Sequence, residues 1–164
     1  TESFDPFLMM DDFRNDDPEK YRNGFPWHPH RGIETITYVL KGNVEHSDSL
    51  GNKGVLSDGD VQWMTAGSGI IHQEMPSGNA SGQMHGFQLW ANLPRDQKMC
   101  TPRYQDIKSA DINALTDDDG THIRVIAGDY RGYRGLVDGI DTDPSYLDIR
   151  LMPNVKKRLS LIHI

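Results

Sequence analysis

The sequence has little cysteine, no long apolar run and no excess of basic residues. The single cysteine among 164 residues, Cys100, cannot form an intramolecular disulfide, so nothing indicates an oxidising compartment. No segment approaches the roughly 18 apolar residues that a membrane helix needs, and no charged-then-apolar leader opens the chain. The net charge of −7 argues against broad binding to phosphate backbones. These absences predict a cytoplasmic protein, also nuclear if eukaryotic, that binds neither membrane nor nucleic acid directly.

Glycine and proline are abundant instead, with 16 and 9 residues. They separate short runs rich in β-branched and aromatic residues, at a spacing of roughly 8–12 residues, which is typical of a β-sandwich or β-barrel and not of a doubly wound α/β sheet. The predicted strands cover residues 33–40, 44–47, 55–56, 61–65, 70–75, 85–93, 121–127 and 146–151.

The polar stretch between the two groups of strands predicts a change of domain. It holds one plausible helical turn at residues 109–115 and an acidic run at residues 117–119, which together favour a solvated linker. The predicted organisation is a first domain over residues 1–105, a linker over 106–120 and a partial second domain over 121–164.

Two short motifs bring chemistry to these strands, residues 28–30 (HPH) and 72–74 (HQE). In an extended chain, residues i and i+2 point to the same side, with Cα atoms about 7 Å apart. If the two strands are neighbours with these faces inward, three imidazoles and one carboxylate converge. That donor set suits a borderline divalent metal such as Fe, Mn, Ni, Cu or Zn and leaves coordination positions open. One such motif alone is more often an ordinary strand feature, so the prediction depends on the pair.

Other polar residues are weaker candidates for the same site. Glu34 shares strand parity with His28 and His30, which makes it a candidate fifth ligand, although pairing with a neighbouring arginine explains it as well. His85 begins the strand that contains Gln88, so both could line the cavity, although a packed core role explains His85 better.

The remaining histidines and the cysteine are predicted to have no catalytic role. His46 and His163 are expected at the surface, and His122 belongs to the partial second domain. Cys100 has no nearby basic partner, so a buried or idle thiol is favoured over a nucleophile.

Three longer stretches are specific enough to compare with a known family: residues 27–35 (WHPHRGIET), 59–67 (GDVQWMTAG) and 69–76 (GIIHQEMP). Together they resemble the pirin family of the cupin superfamily, and the likeness extends over most of residues 4–152. General cupin patterns fit less well, since Thr65 replaces a proline and the spacing from Gly67 to His72 is long. Both departures are themselves in the pirin manner.

The resemblance implies an all-β fold with a cupin-type double-stranded β-helix, or jelly-roll, barrel, followed by the first strands of a second, incomplete barrel. It implies one Fe2+ ion in the first barrel, with Mn, Ni, Cu and Zn as alternatives. Carried over position by position, the implied ligands are also the four that the spacing selects: His28, His30, His72 and Glu74. Candidates for the positions behind these ligands are Glu34, His85 and Gln88.

The family also implies an activity of the quercetin 2,3-dioxygenase type, in which O2 opens the ring of a small aromatic, flavonol-like substrate. Glu74 is then the candidate catalytic residue, because it could take the proton of the flavonol 3-hydroxyl. The alternative is a non-catalytic, iron-dependent redox switch, a transcriptional co-regulator that binds a partner protein. A third hypothesis, a cupin isomerase or zinc hydrolase, keeps the barrel but needs a metal indifferent to O2.

Overall fold

The computed structural model describes residues 4–159, and nearly all of its regular structure is antiparallel β-sheet. The α-helix of this range, α1 (Pro18–Tyr21), is one turn long. Asp17 is its N-cap, and the Asp17 side chain accepts a hydrogen bond from the Glu19 backbone N–H. The chain divides into two compact units. The first runs to Asp111 and includes Gly139–Thr142, and the second holds Ile112–Asp138 and the residues from Asp143 onward.

From residue 4 onward, the first unit contains nine strands in two sheets. The strands are β1 (Phe7–Asp12), β2 (Phe25–His30), β3 (Ile33–Lys41), β4 (Asn43–Asp48), β5 (Lys53–Leu56), β6 (Val61–Thr65), β7 (Ile70–Ser77), β8 (His85–Asn92) and β9 (Arg103–Ile107). One sheet has the order β1-β8-β3-β6-β9 and the other has the order β2-β7-β4-β5. Consecutive strands therefore alternate between sheets in part of the chain, as they do in a jelly roll.

The inner faces of the two sheets form the core of this unit. Val39 of β3 packs with Val44 of β4 and Leu56 of β5, and all three are fully buried. Burial of such a side chain contributes about 1.5–3 kcal/mol each. Successive side chains of a strand point to opposite faces, so every second residue of β4 and β7 is buried and the residues between them are more exposed.

Three strands of this unit lie outside the strand ranges predicted from the sequence. One is β2, whose HPH motif is expected to be extended; the other two, β1 and β9, have no local signal. β1 has the sequence FLMMDD, which contains no β-branched residue, and it becomes a strand because it pairs with the edge of β8. β9 lies in the stretch read as polar loop and linker, and it pairs with β6 along five residues. Both depend on partners distant in sequence, which local propensity does not register.

A buried carboxylate, Asp60, ties the turn between β5 and β6 to the segment after β9. It accepts hydrogen bonds from the backbone N–H groups of Ser57 (3.0 Å) and Ser109 (2.7 Å) and from Lys108 Nζ (2.8 Å). Burial alone raises the pKa of Asp60, but the bonds from Lys108 and the two backbone groups outweigh it and lower the pKa below its ordinary value.

We therefore expect Asp60→Asn to destabilise the protein by about 1–3 kcal/mol at pH 7. Because the folded-state pKa lies below the unfolded value of 3.8, the contribution is present above about pH 4 and is lost as the pH falls further. The difference between wild type and variant should then narrow in acid. Urea unfolding at pH 7 and pH 3.5 measures this, with the exposed Asp96→Asn as control. Equal stability of wild type and Asp60→Asn at pH 7 would contradict it.

Up to residue 159, the second unit contains five short strands: β10 (Ala114–Thr116), β11 (His122–Ala127), β12 (Asp129–Tyr130), β13 (Tyr133–Arg134) and β14 (Tyr146–Arg150). β11 is central, with β10 and β14 on its two sides, and β12 and β13 form a separate hairpin. Its buried side chains include Ile123 and Val125. The assignment of the domains to residues 1–105 and 121–164 stays a prediction.

The stretch expected to be a solvated linker is ordered differently. The residues predicted as a helical turn contain no helix, and β10 begins within them because Ala114 pairs with Arg124 of β11. The acidic run forms the turn of this hairpin, with the Asp117 N–H donating to the Thr121 carbonyl (2.9 Å). Asp117 also forms an ion pair with Lys157, which is 40 residues away in sequence. The local charge pattern of the acidic run does not predict such a distant partner.

The all-β fold and jelly-roll barrel predicted from the sequence are confirmed. Within residues 4–159, no helix is long and apolar enough to cross a membrane.

Candidate metal centre

The two histidine motifs lie on neighbouring strands of the smaller sheet. β2 and β7 pair antiparallel with His28 directly opposite His72 and His30 opposite Ile70. The register shifts by one residue between Phe25 and His28, which is a β-bulge of the kind common beside functional sites. Residues opposite each other in an antiparallel pair share a face, so all three imidazoles project to the inside of the barrel.

The three imidazoles form one compact cluster. Their ring centroids are 4.8 Å (His28 and His30), 4.4 Å (His28 and His72) and 5.0 Å (His30 and His72) apart. One ring nitrogen from each lies within 4.8 Å of the other two. His72 is 1% exposed and His30 is 7% exposed, whereas His28 is half-buried at the side that solvent can approach.

Burial keeps two of the imidazoles neutral at physiological pH. It lowers the pKa of His30 to about 4, with the proximity of His28 adding to the effect. It lowers the pKa of His72 to about 3, again with help from the neighbouring histidines. Metals bind the neutral imidazole, so no proton has to be displaced from these two rings near pH 7.

The free ring nitrogens match the requirements of a metal site. His30 Nε2 and both ring nitrogens of His72 are buried and have no hydrogen-bond partner among residues 4–159. His28 Nδ1 lies 2.8 Å from the Pro26 carbonyl oxygen, which can only accept, so Nδ1 carries the proton and donates it. The lone pair of His28 is then on Nε2. A backbone carbonyl that fixes the tautomer in this way is a usual companion of a ligating histidine.

Glu74 lies next to this cluster but is held by other residues. It is 3% exposed; its Oε1 accepts a hydrogen bond from Thr37 Oγ1 (2.9 Å) and its Oε2 accepts one from Gln88 Nε2 (2.8 Å). In the part of the chain that the structure describes, the group of ligand atoms within 4.8 Å consists of the three histidines without Glu74. The structure thus brings the three predicted histidine ligands together and places the Glu74 carboxylate in contact with β3 and β8, so its role as the fourth ligand stays a prediction.

Glu34, the candidate fifth ligand, lies elsewhere. Its Oε1 accepts a hydrogen bond from Thr65 Oγ1 (2.7 Å), and burial raises the pKa of its carboxyl group. The parity argument failed because the chain turns at Gly32, where φ is +68°, and β3 then belongs to the other sheet. Thr37 of β3 contacts Glu74, and Glu34, three residues earlier, lies on the opposite face of that strand.

The two other candidates behind the ligands separate in the structure. Gln88 donates a hydrogen bond to Glu74, so its position behind a ligand stays a prediction. His85 lies at the far end of β8, where its Nε2 is 3.7 Å from Asp12 Oδ1 and its ring packs against Phe87 with centroids 5.3 Å apart. His85 is therefore outside the three-histidine cluster.

The prediction of a surface position for His46 is wrong, since its exposed fraction is only 5%. The ring stacks on Tyr104 with centroids 5.6 Å apart, and its Nε2 lies 3.8 Å from Asp106 Oδ2. His46 lies opposite Glu74 in the β4–β7 register, and this inward position follows only from that pairing. Burial also raises the pKa of the Tyr104 hydroxyl. His163, the other expected surface histidine, lies outside the described residues.

Asp48 faces the site but is already engaged. It pairs with His72 in the β4–β7 register, yet one of its oxygens accepts from the N–H groups of Leu50 (2.8 Å) and Asn52 (2.9 Å) and the other from Asn52 Nδ2 (2.6 Å). It caps the turn after β4.

Sequence reasoning missed two residues at the site, Thr37 and Trp90. Thr37 contacts Glu74, and the ring of Trp90 meets His30 edge-on with centroids 5.1 Å apart. In the sequence, Thr37 is one β-branched residue of an ordinary strand and Trp90 is an ordinary core aromatic. One signal was available: Trp90 is two residues from Gln88 on one predicted strand, so the two side chains are expected on the same face.

Comparison with known proteins identifies the family of this chain. The family model described as Pirin matches residues 1–91, which is more than half of the chain. A pirin-like protein of Arabidopsis thaliana is 50% identical over 152 residues, covering 92% of this chain and 47% of the relative. The chain spans about half the length of the curated relatives it matches.

Two solved structures show the same fold. A quercetin 2,3-dioxygenase from Acinetobacter baumannii has a TM-score of 0.75 at 40% identity, covering 84% of this chain and 50% of that one. A bacterial pirin from Escherichia coli, solved in complex with nickel(II), has a TM-score of 0.56 at 29% identity, covering 77% of this chain and 58% of that one. With its cupin barrel, its three-histidine cluster and the matching family model, the chain belongs to the pirin family.

Proposed function

We propose that the protein is a metal-dependent dioxygenase of the quercetin 2,3-dioxygenase type, which opens a flavonol ring with O2. The observation that carries the proposal is the cluster of three inward imidazoles beside a buried carboxylate. The structural likeness to a protein named quercetin 2,3-dioxygenase supports the substrate class. O2 is the oxidant, and a dioxygenase places both of its atoms in the product.

His28, His30 and His72 would hold the metal, with Glu74 as the fourth ligand. The buried ring nitrogens without partners and the lowered pKa values of His30 and His72 fit this role. Neutral nitrogens with one anionic oxygen suit Fe2+, which we propose as the ion, and also suit Mn, Ni, Cu and Zn. A bound Fe2+ ion would acidify a flavonol hydroxyl and permit electron exchange with O2.

Glu74 is proposed to accept the proton of the flavonol 3-hydroxyl. Each of its oxygens takes one hydrogen bond from the protein, which leaves a further lone pair on each for a ligand or a proton. Glu74 is buried, and the low local dielectric of a buried site strengthens the electrostatic interactions of its carboxylate. The half-buried His28 marks the side from which a substrate would approach.

The test is oxygen consumption by protein loaded with Fe2+ under anaerobic conditions and then mixed with quercetin and O2. We expect O2 uptake to match formation of a ring-cleavage product seen by mass spectrometry. Glu74→Gln keeps the shape of the side chain and one oxygen that can bind a metal, but the amide is a far weaker base than the carboxylate. The turnover of this variant should therefore fall by about 100- to 10,000-fold. Absence of O2 uptake and product from fully loaded wild-type protein would overturn the proposal. Wild-type turnover in Glu74→Gln would overturn the role of Glu74.

A further inference from the structure

The Glu74 carboxylate is held between two neutral donors from the opposite sheet. Thr37 Oγ1 donates to Oε1 and Gln88 Nε2 donates to Oε2, at 2.9 and 2.8 Å. Thr37 and Gln88 are 3% and 9% exposed and lie directly opposite each other in the β3–β8 register. The two donors therefore reach the carboxylate from adjacent strands of one sheet.

The orientation of the Gln88 amide follows from the chemistry of its neighbours. Trp90 Nε1 lies 3.2 Å from Gln88 Oε1, and an indole N–H can only donate. The amide oxygen therefore faces Trp90, and the amide nitrogen faces Glu74. The hydrogen bonds thus run in one direction, from Trp90 through Gln88 to Glu74.

The same tryptophan contacts a candidate metal ligand. Its ring packs against His30 at an interplanar angle of 80°, with centroids 5.1 Å apart. Gln88 and Trp90 are two residues apart on β8 and so project from the same face of the strand. One short segment of β8 therefore touches both the carboxylate and one imidazole of the site.

We propose that Gln88, oriented by Trp90, acts with Thr37 as a clamp that positions Glu74 relative to the three histidines. The proposal rests on the proposed metal site, and it assigns positioning and not catalytic roles to Thr37, Gln88 and Trp90. Partners behind metal ligands fix ligand orientation, and their loss typically costs about 10- to 100-fold in metal affinity. The clamp predicts losses of this size from changes that touch no ligand.

The first test is the affinity of purified protein for Ni2+ and Co2+, measured by calorimetry. Gln88→Met keeps the length of the side chain but removes the donor, and its affinity should fall about 10- to 100-fold. Trp90→Phe keeps a ring beside His30 but removes the N–H that orients Gln88, so we expect a smaller loss. Gln73→Met is the matched control, because Gln73 donates to Ser47 and has no contact with the clamp among the described hydrogen bonds.

Thr37 offers a second pair of variants in case Gln88→Met fails to fold. Thr37→Val has the same shape without the hydroxyl and should lose affinity, whereas Thr37→Ser keeps the hydroxyl and should retain it. The visible spectrum of bound Co2+ reports the ligand set, so Thr37→Ser should match wild type and Thr37→Val should not. A role confined to packing would instead make Thr37→Ser, which loses a methyl group, the worse of the two.

The outcomes separate this proposal from the proposed function. Wild-type affinity and Co2+ spectra in folded Gln88→Met or in Thr37→Val would overturn the clamp. If these variants lose affinity as expected while loaded wild-type protein does not oxidise quercetin, the clamp stands and the dioxygenase function fails. If wild-type protein binds neither ion, both proposals fail.

Discussion

His72→Ala is expected to lower metal affinity by more than about 100-fold, beyond the loss typical of residues behind a ligand. His72 is almost fully buried and lies opposite His28. One of its ring nitrogens lies within 4.8 Å of a ring nitrogen of His28 and of one of His30. Its removal leaves two imidazoles that lie on a single strand. Elemental analysis after dialysis against a metal-free buffer and calorimetry with Ni2+ both measure the effect.

The fold should survive this substitution. Neither ring nitrogen of His72 has a hydrogen-bond partner among residues 4–159, so truncation breaks no described bond and leaves a cavity that costs about 2–4 kcal/mol. His85→Ala is the matched control, because His85 is a partly buried histidine beside Asp12 and outside the cluster. Unchanged metal occupancy in His72→Ala, or equal losses in both variants, would show that the histidine cluster is not the metal site.

The second large effect is expected from Gly67→Ala, in the loop between β6 and β7. Gly67 has φ of +49°, and a Cβ there would lie 2.2 Å from the carbonyl oxygen of Cys100. That carbonyl is backbone and already accepts a hydrogen bond from the Ser68 N–H (2.8 Å), so it cannot move freely. The left-handed conformation costs about 1–2 kcal/mol and the overlap about 1–3 more. We therefore expect a loss of about 2–5 kcal/mol in the free energy of unfolding.

Gly51→Ala separates the two causes. Gly51 has φ of +91°, but a Cβ there would meet nothing within 4 Å, so only the conformational cost of about 1–2 kcal/mol applies. Chemical denaturation of both variants measures the difference. Equal destabilisation of the two would show that the contact with Cys100 does not constrain the loop. A Gly67→Ala variant as stable as wild type would contradict the expected effect altogether.

Strands whose own composition favours extended structure could be predicted well. The prediction for residues 61–65 coincides with β6, and that for residues 33–40 differs from β3 by a single residue at its end. The turns on either side of β6 contain glycines with the positive φ values that such turns require, Gly59 before the strand and Gly67 after it. Local propensity and turn chemistry agree in this part of the chain, so one sequence is enough to locate the strands.

Predictions of the face on which a side chain lies were less secure where the spacing was counted across a turn. Parity held within each motif, where His72 and Glu74 are both buried on one strand. It failed from His30 to Glu34, because a turn lies between them and the strands join different sheets. Likewise, His46 looked like a surface residue on a polar strand, and its burial follows from the pairing of β4 with β7.

The sequence by itself determined that the chain forms a glycine-punctuated, all-β barrel and that two motifs could each present a pair of ligands to one side. Those properties depend on the alternation of side chains along a strand, which is local. Only the tertiary structure decided that β2 and β7 are neighbours, that their bulged register sets His28 against His72, and that Thr37 and Gln88 hold Glu74. The site itself required strands distant in sequence to meet, and the packing of the whole barrel determines those meetings.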